Sequence, residues 1–299
     1  MRMTIREAYL QASSFLASGD SRNTQHPERV TEWMLCSLLG WNRSKLFLDW
    51  QETFPGEKVS QWEGWLQRKA AGEPVQYIIG EQEFYGRSFR VNPQVLIPRP
   101  ETELLVEAAL AWGRARQPKL VADIGTGSGI IPITLAAEQP EWRLSASDLS
   151  GSALEVAMDN ARQHGVFERI SFYEGDLLEP WLHRGLAPDM LISNPPYVPL
   201  ADEANMTPEV AEYEPSSALY GGKDGLDLYR RLAEQLTQMK RLPAWIGLEV
   251  GEGQAEQVAG MLSALADSES GVQGDEPPRT IQVIQDLAGI SRHVVLKCE

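Results

Sequence analysis

Cysteine is scarce. Cys36 and Cys298 stand at opposite ends of 299 residues, with no Cys-x-x-Cys anywhere. A disulfide framework and a zinc cluster are therefore not expected, no metal is expected, and a reducing compartment fits. The four histidines, His26, His164, His183 and His293, are isolated and lack the His-Glu-x-x-His pairing of a metalloprotease. No Gly-x-Ser-x-Gly nucleophile elbow occurs. There is no 18-residue apolar run, and the first ten residues are too polar for a signal-peptide core. No membrane association is expected, and the cytoplasm is the expected location. Positive charge is also short: 27 Lys and Arg face 42 Asp and Glu, a net −15. Residues 1–90 are balanced at 11 each, whereas residues 91–299 hold 16 cations against 31 acids. Such a surface repels a phosphate backbone, so direct nucleic-acid binding is disfavoured unless a local basic groove outweighs it.

What is present has two grammars. The length is about twice that of a typical domain, so two domains are expected. The first eighty residues pattern as helices only. Thr4 and Glu7 have capping-box spacing, with Ile5, Ala8, Ala12 and Leu16 following at helical intervals. A second helix is expected over Pro27–Leu39. A third is expected over Glu57–Ala71, striped by Val59, Trp62, Leu66 and Ala70 and stopped by Gly72 and Pro74. Five tryptophans, Trp33, Trp41, Trp50, Trp62 and Trp65, serve either this core or a partner-binding patch. Residues 75–98 resemble a hairpin linker around Tyr85-Gly86-Arg87-Ser88. From residue 99 onward strands and helices alternate, which builds a mainly parallel sheet covered on both faces. Residues 267–280 are polar and rich in Gly and Pro, and a loop is expected there. The expected domains are thus 1–74, helical; 75–98, linking; and 99–299, α/β.

Two motifs carry chemistry. The first is Asp123-Ile124-Gly125-Thr126-Gly127-Ser128-Gly129, a strand entering a glycine-rich turn that opens a helix. Such a turn lets a ligand approach the backbone and offers free N–H groups to an anion. Asp148, nineteen residues after Gly129, ends the next strand, where an acid can accept both hydroxyls of a ribose. A dinucleotide fingerprint requires a third glycine where Ile130 stands, and a phosphate loop requires a lysine that is absent. The remaining pattern resembles the S-adenosylmethionine loop of class I methyltransferases; the alternative is a purely structural turn.

The second motif is Asn194-Pro195-Pro196-Tyr197, following the expected strand Asp189–Ser193. Two prolines fix φ and remove two donors, leaving the carbonyls of Asn194 and Pro195 free to accept. With the Asn194 side-chain carbonyl they match the two N–H bonds of a planar –NH2 group, and Tyr197 offers a flat face. An amide or exocyclic amino nitrogen is a poor nucleophile because its lone pair is delocalised. Holding both protons on acceptors orients it for in-line attack on a sulfonium methyl, and positioning of this kind is worth roughly 7–11 kcal/mol. The motif identifies a planar nitrogen acceptor, not which one.

Further segments resemble the protein-(glutamine-N5) methyltransferases that modify peptide chain release factors. They are Leu96-Ile97-Pro98-Arg99-Pro100-Glu101-Thr102-Glu103, Gly221-Gly222-Lys223-Asp224-Gly225-Leu226-Asp227, Leu248-Glu249-Val250-Gly251 and Gln285-Asp286-Leu287-Ala288-Gly289. The resemblance implies a class I methyltransferase fold, a Rossmann-like seven-stranded sheet, behind an N-terminal helical bundle that docks the substrate protein. It implies S-adenosylmethionine as cofactor, lined by Gly125, Thr126, Gly127, Ser128 and Gly129. Asp148 would lie on its ribose and Asp176 near its adenine, with Leu177 where some relatives carry an aromatic residue. Asn194, Pro195, Pro196 and Tyr197 would grip the glutamine carboxamide of a Gly-Gly-Gln tripeptide, and Pro98 and Arg99 would help close the pocket. A ribosomal-protein glutamine methyltransferase and a nucleic-acid amino-group methyltransferase (adenine N6 or guanine N2) remain open alternatives.

Overall fold

A computed structural model describes residues 3–20, 24–269 and 279–298. Most of the 267–280 segment expected as a loop lies outside them. The chain begins with helices α1 (Ile5–Ser18), α2 (Pro27–Leu39), α3 (Arg43–Leu48), α4 (Val59–Ala70) and α5 (Val75–Ile79), then a hairpin of β1 (Glu81–Phe84) and β2 (Arg87–Arg90). Alternation follows: α6 (Glu101–Arg116), β3 (Leu120–Ile124), α7 (Ile130–Glu138), β4 (Arg143–Asp148), α8 (Gly151–Gln163), β5 (Ile170–Glu174), α9 (Glu179–Arg184) and β6 (Met190–Ser193). The remainder is α10 (Pro208–Tyr213), α11 (Asp227–Leu236), β7 (Trp245–Glu249), α12 (Ala255–Glu269), β8 (Arg279–Gln285) and β9 (Ser291–Cys298). The expected helices and strands lie within a few residues of these bounds. The short helices α3, α5, α9 and α10 carry no stripe long enough to read, and the sequence pattern did not mark them.

Two compact units result. One comprises Met1–Glu81 with Asn205–Glu214, the other Gln82–Ala204 with Pro215–Glu299. This differs from a boundary at residue 74 followed by a linker. Helix α5 contributes Val75 and Ile78 to the helical core, while the hairpin contributes Phe84 and Phe89 to the α/β core beside Leu105 and Leu110. The detour of Asn205–Glu214 has no local signature.

In the α/β unit the strand order is β5-β4-β3-β6-β7-β9-β8. β3 pairs in parallel with β4 and β6, β5 and β7 extend the parallel run on either side, and β9 joins antiparallel between β7 and β8. Alternation along the strands sorts the apolar side chains onto two faces. Val121, Met190, Ile192 and Trp245 pack with α6 and α7, and Ala122, Leu191, Ile246 and Leu248 pack with α11 and α12. The chain therefore steps from β3 outward to β4 and β5, then returns to lay β6 on the other side of β3. That reversal is a topological switch point, where open α/β sheets bind ligands.

In the helical unit, Thr4 and Glu7 form the capping box: Thr4 N–H donates to Glu7 Oε2 at 2.7 Å, and Glu7 N–H to Thr4 Oγ1 at 3.2 Å. Ile5, Met34, Leu35, Leu38, Leu46 and Trp62 form the core. The face of α4 differs from the expected stripe, because beside Trp62 it buries Lys69, which is 1% exposed. The Lys69 ammonium donates to the Glu73 carbonyl at 3.0 Å and pairs with Glu209 of α10. Tyr213 Oη donates to the Ala71 carbonyl at 3.0 Å. These bonds hold the detour segment within the helical unit. The ion pair is unequal, since Glu209 is 34% exposed and can be hydrated alone whereas Lys69 cannot. Glu209→Ala should therefore cost about 3 kcal/mol by stranding a buried cation, and Lys69→Met about 1 kcal/mol or less. Urea unfolding of the two variants checks this, and the reverse order would refute it.

Candidate active site

The register of the sheet brings the motifs into one row. Ile124 is paired with Ser147 of β4 and with Ser193 of β6. The next residue along each chain is Gly125, Asp148 (the last of β4) and Asn194, so all three stand side by side at the switch point. A cavity of about 450 Å3 opens there within the α/β unit. Of the residues expected in the site, Pro98, Arg99, Gly125, Thr126, Gly127, Ser128, Asp148, Asp176, Leu177, Asn194 and Pro196 line it. Gly129, Pro195 and Tyr197 do not.

The glycine turn has left-handed φ at Gly125 (69°), Gly127 (53°) and Gly129 (82°), a backbone that side-chain-bearing residues rarely adopt. Gly129 caps α7 and serves packing: a Cβ there would lie 2.8 Å from Ile133 and 3.2 Å from Ala157. Asp148 accepts the Gly127 N–H at 2.9 Å on one oxygen and the Ser150 N–H at 2.9 Å on the other. Burial pushes its carboxyl up, opposed by main-chain N–H groups of Ser150, Gly127 and Leu149. Each oxygen keeps a lone pair for a further donor, as two vicinal hydroxyls would require.

Asp123 was not expected among the site residues. It is 1% exposed, and among the described residues neither oxygen has a hydrogen-bond partner. Burial pushes its carboxyl up to about 7, opposed by the Thr126 hydroxyl and reinforced by Asp148. The buried Thr126 hydroxyl lies near that carboxyl but outside hydrogen-bond geometry. Orphaned polar groups under a glycine turn fit a ligand that carries its own donors, an ammonium included. The available signal was a lone carboxylate inside the otherwise apolar strand Leu120–Ile124.

The far end of the cavity is apolar. Leu177 holds a left-handed φ of 49°. Leu149, likewise unexpected, follows Asp148 and lines the cavity while 69% exposed. An apolar residue directly after a strand-end acid is a signal that could have found it. Asp176 is paired with Arg231, another lining residue. Two aliphatic walls and a polar pair suit a flat heterocycle with amino and ring-nitrogen edges.

At the other end, Asn194 Nδ2 donates to Thr102 Oγ1 at 3.1 Å, and its Oδ1 accepts nothing among the described residues. Pro195 is buried, with its carbonyl likewise unengaged. The Tyr197 ring packs against Gly251 and the core beneath α11 and α12. Its main-chain carbonyl accepts from Gln254 Nε2 at 2.9 Å. Burial, with the Glu249 charge nearby, pushes its phenol up to about 12. The Gly221-Gly222-Lys223-Asp224-Gly225 segment explains its glycines here. A Cβ at Gly221 would lie 2.5 Å from the Pro196 carbonyl oxygen, and one at Gly225 2.2 Å from that of Tyr197.

The residues lining the cavity thus fit S-adenosylmethionine: the glycine turn for its amino-acid part, Asp148 for its ribose, leucines for its base. Among the described residues no helix is long and apolar enough to cross a membrane, and no three side chains form a metal-binding group.

Comparison with known proteins agrees. Residues 7–80 match the family model described as PrmC N-terminal domain, and residues 100–212 match the Methyltransferase small domain. Release factor glutamine methyltransferase of Bacillus anthracis is 39% identical over 300 residues, covering 99% of this chain and all of the relative. That of Geobacter sulfurreducens is 40% identical over 87% of this chain and 88% of its own, and that of Bacillus subtilis 37% over 97% and 96%. Among solved structures, the catalytic domain of hMettl16 matches with a TM-score of 0.53 at 17% identity, covering 82% of each chain, a likeness of fold. With its cavity at the switch point and full-length similarity at this level, the chain belongs to the release factor glutamine methyltransferase family.

Proposed function

We propose that this chain transfers the methyl group of S-adenosylmethionine to the side-chain amide nitrogen of the glutamine in the Gly-Gly-Gln tripeptide of peptide chain release factors, in the cytoplasm. The observation that carries the reading is Asn194: its amide nitrogen is engaged by the protein, and its oxygen is left as an acceptor on the cavity wall, in the same row as the glycine turn. When bound, S-adenosylmethionine supplies an electrophilic methyl on a sulfonium.

This chain's residues do the positioning. Asn194 Oδ1 and the Pro195 carbonyl accept the two N–H bonds of the glutamine carboxamide. They turn its nitrogen toward the donor and draw it toward a pyramidal geometry. Their rigidity comes from the two prolines and from Gly221 and Gly225 packed against the following carbonyls. Tyr197, its phenol pushed up to about 12 by burial, is no general base. None is required, because the alkylated nitrogen is strongly acidic and its proton passes to water after transfer. Asp148 holds the ribose, and Asp123 balances the ammonium of the donor's amino-acid part.

Methyl transfer from labelled S-adenosylmethionine to purified release factor, ribosomal protein and DNA, run in parallel, tests the substrate. Release factor is expected to be labelled. Labelling of DNA or ribosomal protein instead would overturn the reading. Asn194→Ala should lower turnover by about 1000-fold, as loss of a positioned polar partner does, with donor affinity within about threefold of wild type. Normal turnover at saturation would contradict its role.

The Asp123 carboxyl gives a pH prediction. Its free-state value is raised to about 7, so below pH 7 the empty site is largely protonated. An ammonium-bearing ligand favours the ionised form. Affinity for S-adenosylhomocysteine should therefore rise with pH up to about 7, by as much as tenfold per unit, and level off above it. Calorimetry from about pH 5.5 to 8 measures this. Asp123→Asn should flatten the profile, and a flat profile in the unsubstituted enzyme would exclude Asp123 from donor binding.

A further inference from the structure

Thr102 stands in the first turn of α6 and is completely buried. Its Oγ1 lies 2.7 Å from Glu249 Oε2, at the end of β7, and 3.1 Å from Asn194 Nδ2. The β7–β9 register sets His293 opposite Glu249, with His293 Nε2 3.6 Å from the same carboxylate oxygen. Glu249 and His293 are 1% and 0% exposed. In the methyl transfer described above Thr102 enters only as the partner of the Asn194 amide nitrogen, and Glu249 and His293 take no part.

Proton counting gives them a direction. A threonine hydroxyl has one hydrogen, and a carboxylate only accepts. With Oγ1 at 2.7 Å from Glu249, that hydrogen is committed to the carboxylate. Oγ1 then has only lone pairs to offer Asn194. The amide must meet it with its NH2 end, which leaves Oδ1 as the free end. The two ends of the amide are thus distinguished by hydrogen-bond balance, without observed hydrogens.

We propose that Thr102, backed by Glu249, is a positioning residue that fixes the amide orientation of Asn194, so that an acceptor and not a donor meets the substrate carboxamide. The proposal rests on the reading that Asn194 receives an N–H of that carboxamide. The two ends of a primary amide are nearly the same size, so sterics alone do not choose between them. The flipped amide would set its oxygen against the Thr102 lone pairs and point N–H at N–H in the site. The Leu96–Glu103 motif thereby acquires a second role. Beyond placing Pro98 and Arg99 on the cavity wall, it starts α6 where Thr102 can reach β6 and β7.

The test combines turnover with a measurement on the amide itself. Thr102→Val keeps the shape and removes the acceptor, and should lower kcat about 100-fold with donor affinity within about threefold of wild type. Thr102→Ser restores the hydroxyl and should recover to within about fivefold. Glu249→Leu frees the hydroxyl hydrogen to donate to Asn194 Oδ1, and should be as slow as Thr102→Val. In the intact protein, the Asn194 side-chain NH2 should show one hydrogen protected from exchange by NMR, with protection lost in Thr102→Val and Glu249→Leu. Wild-type turnover in Thr102→Val or Glu249→Leu, a Thr102→Ser as slow as Thr102→Val, or an unprotected NH2 in the unsubstituted enzyme would each overturn the proposal. If the unsubstituted enzyme labelled DNA and not release factor, the substrate reading would fail, while the exchange measurement would still decide the orientation of Asn194.

Discussion

One row of backbone pairing underlies the whole site. Ile124 sits level with Ser147 and Ser193, so the glycine turn, the ribose acid and the amide motif all begin one residue later, side by side. Parallel strands make this possible, because their C-terminal ends point the same way, and the switch point makes it concave by sending connections to opposite sides. The register is itself fixed by burial. A one-residue slip of β6 would exchange Met190 and Ile192 for Leu191 between the two faces and carry Asn194 away from Gly125. The chemistry thus depends on the same apolar alternation that makes the sheet fold.

Around that row the protein keeps polar groups in places where burial penalises them. Asp123 and Thr126 lie under the glycine turn without partners, and Glu249, His293 and Thr102 form a buried polar column behind Asn194. Unsatisfied buried groups each cost on the order of 1–3 kcal/mol. A fold selected only for stability would replace several of them with aliphatic side chains. At the glycine turn and behind Asn194, such groups mark where stability gives way to binding and orientation.

The sequence made much of this legible, for identifiable reasons. Strand–helix alternation from Glu101 onward is carried by strong periodic patterns, and the stop signals place most ends well. The site motifs were legible because each packs a constraint into consecutive residues: alternating glycines, a strand-end acid, two prolines after an asparagine. Groups that matter only through distant partners left little trace. Thr102 and Glu249 are 147 residues apart in the chain, and their 2.7 Å bond is a product of topology. The burial of Lys69 depends on Glu209, 140 residues away, arriving through a detour that no local pattern announces. Tyr197 meets two demands: beside this motif a tyrosine suggests a stacking face, and its ring also packs against the apolar core beneath α11 and α12.

The amide motif cannot itself choose among glutamine, adenine and guanine, since all three present a planar –NH2. Selection must come from the remainder of the surface, and there the folded units alter the balance suggested by the linear sequence. With Asn205–Glu214 included, the helical unit holds 9 Lys and Arg against 13 Asp and Glu, a net −4, and the α/β unit holds 18 against 29, a net −11. The N-terminal region therefore loses its apparent neutrality: ending the unit at Glu81 leaves Arg87 and Arg90 outside it, and the detour brings three acids and no cation. A nucleic-acid substrate would meet net-negative potential from either unit. Each phosphate contact would need a cation drawn from a deficit, and the salt-dependent attraction that supplies most non-specific binding would be missing. A protein substrate faces no such obstacle, since its backbone is neutral and its tripeptide enters by shape and hydrogen bonding. Charge thus weighs against a nucleic-acid acceptor and places no obstacle before the glutamine amide.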